Sequence, residues 1–383
     1  MIRYVSKENS RALHGTALLR LDFNTEDEWR MTATLPTIKL LLRRGATVVI
    51  VSHRGRPSGV KIAGGQPVKF EKKLSLKRDA MRLARLLRRK IRFIPHFRFK
   101  EIRRKTAQAP RGSVFLLENL RFLRGEDAND PRLARELASL ADFYVNDAFA
   151  VSHRDDASVD AITKFLPSYG GMGFEREIRF LSHALTQPKH PLVIILGGGK
   201  AHDKLGVLRY FRAKADWFLL GGAAANTLHF VRGMNVGRSL IDRERSDLKM
   251  LKAVSRYENL ILPSDWITRR NAILDIGPRT IREFEKRIRQ ARTIIWSGPL
   301  GLAEEPRFAK GSLAVAWAIA ANRRAFSIAG GGETVMFLKK YRLDKKFSFI
   351  STGGGAMLDF LAGEKLPGIS ALHRTRAARG KKR

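Results

Sequence analysis

Apolar, β-prone runs alternate with amphipathic runs at helical spacing along nearly the whole chain, and no other feature narrows its fold as much. Strands are expected at ALLRLDF (17–23), TVVIVSH (47–53), SVFLLEN (113–119), DFYVNDAF (142–149) and PLVIILGG (191–198). Further strands are expected at DWFLLGG (216–222), LILPSDW (260–266), RTIIWSG (292–298) and AFSIAGG (325–331). They are near-continuous apolar segments, the pattern of strands buried on both faces. Between them, LPTIKLLLRRGA carries a helical stripe that stops at Gly45. DPRLARELASLA offers Asp130 as N-cap with Pro131 at the first helical position, and GPRTIREFEKRIRQA again starts at a proline. Strands separated by helices predict parallel sheets covered on both sides. A chain of 383 residues exceeds one ordinary core. The expectation is therefore α/β, with two doubly wound parallel-sheet domains joined by a hinge helix. The boundaries fall at 1–170 and 171–365, and a segment 366–383 returns towards the first domain. KFLPSYGGMGFEREIRFLSHALT reads as turn residues followed by one connecting helix.

The strand ends carry the chemistry. In open α/β sheets ligands bind at the carboxyl ends of strands. Before about residue 155 those ends supply Asp22, Asn24, His53, Arg56, Arg121 and Arg154, with Arg30 a few residues downstream of the first. Guanidinium forks on separate strand ends suit a small polyanion. After about residue 190 the ends are glycine clusters: ILGGGKAHDKLG with Lys200 and Lys204, GGAAANT, SGPLG and GGGETV. Glycine lets backbone N–H groups approach a phosphate, and a following helix adds its positive end. The first cluster is not the Walker pattern, which spaces its glycines differently. Glu304 and Glu333 are the acids expected to touch a ribose or a metal.

Composition adds a second theme. Lys and Arg total 73 against 36 acids, giving a net charge of +37. From Arg82 to Lys105 there are eleven basic residues and one acid, and the tail RTRAARGKKR (374–383) has six basic residues and none. Two readings follow: a sequence-independent nucleic-acid footprint, or a generally solvated basic surface. There is no cysteine, no apolar start of signal-peptide type and no apolar run of membrane-span length. A cytoplasmic protein without membrane contact is expected.

The motifs LRLDFN, SHRGRP, LLENLRF, YVNDAFAVSHR, ILGGGKAHDKLG, WSGPLGLAEEPRFAKGS, AGGGET and FISTGGGAMLDFLAGEKLPG, in this order, resemble phosphoglycerate kinase from about residue 17 to 372. The resemblance implies an N-terminal domain that binds 3-phosphoglycerate or 1,3-bisphosphoglycerate. It implies a C-terminal domain that binds ADP or ATP with Mg²⁺, a hinge that closes between them, and a monomer. By motif position, Asp22, Asn24, His53, Arg56, Arg121 and Arg154 would hold the triose acid, and Arg30 would meet the transferring phosphoryl group. Lys200 and Lys204 match the two phosphate-contacting lysines and, with Arg30, the catalytic set. Gly198, Gly221, Gly222 and Pro299 would line the nucleotide cleft, and Glu304 would hold the ribose. Gly331, Gly332, Glu333 and Thr334 would cap the β-phosphate, with Glu333 at the metal.

The chain also departs from the family pattern. Glu333 replaces an aspartate and Ser297 an asparagine. GGAAANT has alanine for a methionine, the loop from Asn24 to Arg30 is short, and Arg54 replaces a leucine. Two functions are consistent with this sequence: the glycolytic and gluconeogenic kinase, or a weakly active homologue acting as a basic nucleic-acid-binding protein.

Overall fold

The structure, a computed structural model, describes residues 1–9, 12–57 and 70–374. It divides into two compact units, Met1–Ile178 together with the chain from Lys365, and Arg179–Glu364. The tail from residue 375 lies outside the described residues.

The first unit holds a six-stranded parallel sheet made of β1 (Thr16–Arg20), β2 (Thr47–Val51), β3 (Arg92–Ile94), β4 (Val114–Leu117), β5 (Phe143–Asn146) and β6 (Ser168–Gly170). Its order is β3-β4-β2-β1-β5-β6. The chain winds outward from β1, then crosses back to β5, so the direction reverses between β1 and β5. Both faces are covered, as the continuous apolar runs require. Leu19, Val48, Ile50 and Leu116 pack into one core, while their neighbours Leu18, Val49, Val51 and Phe115 pack into the core on the opposite face.

The second unit repeats the architecture with β7 (Leu192–Leu196), β8 (Trp217–Leu220) and β9 (Leu260–Ile261). A two-stranded antiparallel ribbon follows, β10 (Trp266–Arg269) with β11 (Ala272–Ile276). The sheet then continues with β12 (Thr293–Ser297), β13 (Phe326–Gly330) and β14 (Phe349–Ile350). The order β14-β13-β12-β7-β8-β9 places the reversal between β7 and β12. Both sheets are doubly wound, as the sequence predicts.

Four expectations need correction. LILPSDW is not one strand: β9 ends at Ile261, and Asp265 leaves the sheet to accept the Arg279 and Thr280 N–H groups at 2.9 and 2.8 Å. It thereby satisfies orphan donors at the start of helix Pro278–Gln290. SYG, read as turn, is the edge strand β6. β3 and β11 also escape the apolar pattern, the former because it lies inside the basic run. The first helix is longer than its stripe, Glu28–Arg43 with Pro36 inside. That extension carries Arg30 on its first turn, beside the end of β1. The N-cap at Asp130 is as read: its carboxylate accepts the Arg132 N–H at 2.8 Å, and Pro131 opens the helix.

The chain passes from one unit to the other within helix Met172–Thr186. After the second unit, helix Pro367–Arg374 rejoins the first: Gly368 N–H donates to the Ser152 carbonyl at 2.9 Å, and Arg374 pairs with Asp160.

Candidate functional site

In the first unit the expected residues follow the carboxyl ends of β1, β2, β4 and β5. Each strand leaves the sheet through a short polar loop held by side-chain bonds. Ser52 Oγ accepts the Phe23 N–H at 2.9 Å, and Asn24 Oδ1 accepts the Gly55 N–H at 2.8 Å. Asn119 braces the β2 loop from the other side. Its Oδ1 accepts the Arg54 N–H at 3.1 Å, and its Nδ2 donates to the Arg54 carbonyl at 2.8 Å. The SHRGRP loop is thus fixed by two asparagines. Asn24 spends its carbonyl oxygen on this brace, which leaves its amide group to face a ligand.

The charged groups interlock. Arg30 Nη1 donates to Asp22 Oδ2 at 3.0 Å. Arg121 is buried, with Nη2 on Asp156 at 3.1 Å and Nη1 on Asp127 at 2.5 Å. Arg154 is half-buried, and burial with the adjoining Arg121 charge pushes it below the usual arginine range. Arg56 is exposed. His53 is fully buried, and burial plus the guanidiniums of Arg20, Arg121, Arg154 and Arg54 holds its pKa well below the ordinary histidine value. The imidazole is neutral.

Its tautomer follows from a residue that the sequence reading passed over. Arg20 is fully buried at the end of β1, with Nε on Ser158 Oγ at 2.8 Å and Nη2 3.1 Å from His53 Nδ1. A guanidinium can only donate. Nδ1 is therefore the acceptor and Nε2 carries the proton. Among the described residues Nε2 has no partner, which makes it a prepared donor to an anion. An arginine inside an apolar strand was itself the available signal, because a buried charge needs a partner.

Arg54 does not enter this set. Its Nε and Nη2 grip both oxygens of Asp79 at 3.1 and 2.7 Å, its Nη1 reaches Glu26 at 2.6 Å, and its Nη2 also donates to the Thr25 carbonyl. The leucine-to-arginine departure is a structural tie between the β2 loop and helix Lys77–Leu87.

In the second unit the glycine clusters converge at the reversal between β7 and β12. Gly197 N–H donates to the Ser297 carbonyl at 2.9 Å, Gly198 N–H to the Pro299 carbonyl at 2.7 Å, and Ala223 N–H to the Gly198 carbonyl at 3.0 Å. The contact leaves no room for side chains. A Cβ on Gly298 would lie 2.2 Å from the Gly197 oxygen, and Gly298 has φ +89°. Gly331, at φ +90°, turns β13 into helix Gly332–Lys340, and Thr334 Oγ1 accepts the Gly298 N–H at 2.8 Å. Thr334 thus ties two loops together, which accounts for its complete burial.

Two adjoining cavities result. One, of about 460 Å³, is lined by Lys200, Lys204, Ser297, Gly331, Gly332 and Glu333 among others. The second, of about 330 Å³, is lined by Gly222, Ala223, Pro299, Leu300, Trp266 and Glu304 among others. They share Gly198, Gly199 and Glu333. The first is walled by glycines with Lys200 and Lys204, and the second carries more apolar side chains, with Glu304 at its wall. Lys204 is buried, and burial lowers its pKa while Asp203 and Glu333 partly restore it. Lys200 is exposed. Asp242, unremarked in the sequence, shapes the loop by accepting the Ala201 and His202 N–H groups at 2.6 and 2.8 Å. Gly221 sits just outside the lining. A Cβ there would strike Leu300, so its glycine serves packing.

Among the described residues no cluster of three or more acidic or histidine side chains could enclose a metal. Glu333 stands alone with Asp203 at the wall of the larger cavity. That set fits a Mg²⁺ carried in largely by phosphate oxygens and water, with one protein carboxylate. No helix among the described residues is long and apolar enough to cross a membrane.

The phosphoglycerate kinase family model matches residues 14–364. The chain belongs to the phosphoglycerate kinase family. Relatives named phosphoglycerate kinase include those of Dictyoglomus turgidum, 38% identical over 93% of this chain and 94% of the relative, and of a Nostoc species, 39% identical over 93% and 95%. The solved phosphoglycerate kinase of Coxiella burnetii superposes with a TM-score of 0.81 at 32% identity, covering 98% of this chain and 100% of that one. That of Pyrococcus horikoshii gives a TM-score of 0.81 at 30% identity, covering 94% and 96%. As a phosphoglycerate kinase by family, the chain is a phosphotransferase, and the resemblance drawn from its motifs is borne out.

Proposed function

We propose that this chain transfers a phosphoryl group reversibly between the carboxyl phosphate of 1,3-bisphosphoglycerate and MgADP, yielding 3-phosphoglycerate and MgATP. The observation that carries the details is the pair of joined cavities in the second unit. An apolar recess opening onto a glycine-walled cavity with two lysines matches the base, ribose and phosphates of one nucleotide. In this reading Gly222 and Pro299 flank the base, Glu304 holds the ribose, and Lys200 and Lys204 meet the phosphates. Glu333 would hold Mg²⁺, which when bound offsets charge between phosphate oxygens.

The first unit takes the triose acid. His53 donates through Nε2, Arg121 and Arg154 supply charge, and exposed Arg56 closes on the ligand. Arg30, preset by Asp22, faces the transferring group. Phosphoryl transfer demands little covalent help from protein, only in-line alignment and charge stabilisation. The two ligands must therefore be brought together, and closure of the units serves this. The enzyme works as a cytoplasmic monomer. The test is 3-phosphoglycerate-dependent ATP turnover by purified protein stripped of nucleic acid in high salt. Turnover that requires both substrates and Mg²⁺ is expected; ATP hydrolysis indifferent to 3-phosphoglycerate would refute the assignment.

A further inference from the structure

The first sheet has a second charged edge, at the opposite end from the site. Helix Lys77–Leu87 ends by delivering Arg88, Arg89 and Lys90 to the amino end of β3, which itself opens with Arg92. Helix Phe99–Ala107 ends with Arg104 and Lys105, and the turn before β4 carries Arg111. All seven side chains are exposed. The topology collects them, because helices in parallel sheets end where the next strand begins. Arg89 Nη2 would lie 3.9 Å from a Cβ on Gly112, so the first and third groups meet.

These charges differ from three others of the basic run. Arg82, Arg85 and Arg98 are each held by a carboxylate, from Glu26, Glu28 and Glu101. Among the described residues none of the seven has one within ion-pairing distance. The two helix carboxyl ends offset only about half a charge each. A surplus of roughly six positive charges therefore remains at one edge.

The chemistry selects the partner. Five of the seven are arginines, whose forks match phosphate oxygens. The exposed large apolar side chains, Met81 and Trp317 among them, do not include any at 88–92, 104–105 or 111, so nothing there would insert into a lipid surface. Four residues of β4 at about 3.3 Å each put roughly 13 Å between this edge and the site, beyond the Debye length of ~8 Å at physiological salt. We infer that the amino edge of β3 and β4 is a sequence-independent binding surface for the phosphate backbone of nucleic acid, electrostatically separate from the kinase site. It does not depend on the reaction proposed above.

The test uses the full chain and a fluorescently labelled duplex of random sequence, followed by anisotropy across a salt series. Log affinity should fall linearly with log salt, by about 0.9 for each duplex phosphate neutralised. Replacing Arg88, Arg89, Arg92 and Arg104 together by Glu should flatten that slope by about 3 or more, with 3-phosphoglycerate-dependent turnover unchanged. Should the fourfold Glu variant fail to fold, Gln at the same positions reads the same slope with half the charge change. A control reverses Arg282, Lys286, Arg323 and Arg324, exposed on the second unit. If the control weakens duplex binding as much as the patch variant, or if anionic vesicles bind where duplex does not, the assignment is overturned.

Discussion

His53 is a histidine whose surroundings remove its usual ambiguity. Four guanidiniums and full burial keep it neutral, and Arg20 fixes its proton on Nε2. ¹⁵N-labelled protein should therefore show the Nε2–H tautomer for His53 with no titration from pH 8 down to about pH 6, the range where an ordinary histidine protonates. An imidazolium signal at pH 6 would contradict the derived donor role. Lys204 is the matching case in the second unit: a buried cation at a phosphate-sized cavity. Lys204→Ala should lower kcat by at least ~10²-fold, in line with loss of one preorganised charge-stabilising donor, and barely move KM for 3-phosphoglycerate. Steady-state kinetics with both substrates varied reads this directly, and an unchanged kcat removes Lys204 from the mechanism. Arg56 and Arg121 separate binding from architecture. Arg56→Ala should weaken 3-phosphoglycerate binding without altering stability. Arg121→Ala should weaken it and also destabilise the fold, because Asp156 is then left buried without its partner. Calorimetric titration should leave ADP affinity nearly intact in both.

Loops that carry a site are built by the strands they leave, and the second unit makes this testable. A Cβ at Gly298 would meet backbone on the neighbouring strand end, so Gly298→Ala forces β7 and β12 loops apart while also straining a positive φ. ADP affinity should drop at least ~10-fold, with 3-phosphoglycerate affinity unchanged; equal ADP affinity by titration would mean the loops yield freely. Elements of this kind were legible in the sequence wherever one local rule sufficed. The apolar runs located the main strands, Asp130 and Pro131 located a helix start, and glycine clusters located the strand-end turns of the second unit. What stayed hidden depended on tertiary partners. β6 is three residues ending in glycine, and β3 lies among arginines, so neither carries an apolar signature. Asp265 and Asp242 look like ordinary loop acids until the N–H groups they accept come from 14 and 41 residues away. Arg54 read as a stray departure, and only the fold supplies Asp79.

For the molecule as a whole, buried acids tie stability to pH. Asp147, at the end of β5, accepts the Phe174 N–H at 2.8 Å, and burial pushes its carboxyl up to about 6. Its folded value exceeds its unfolded one, so the folded state holds the extra proton between them. The stability it contributes is complete below about pH 4 and is lost as pH rises through 6. Asp147→Asn should therefore gain roughly 1–3 kcal/mol on wild type between pH 4.5 and 7.5 in urea unfolding, about two pK units at most. Comparing the two pH values cancels any fixed effect of the amide, and parallel curves would disprove the burial argument. The chain order has its own consequence. Arg179–Glu364 interrupts the first unit, whose helix Pro367–Arg374 lies against Ser152 and Val159. On a ribosome, which emits the chain at about 5–20 residues per second, the inserted unit has all its residues before that helix exists. The unit begun first is finished last. Until then its surface around Val151 and Val159 waits uncovered, so a stalled or prematurely terminated chain would present a completed second unit attached to an unfinished companion.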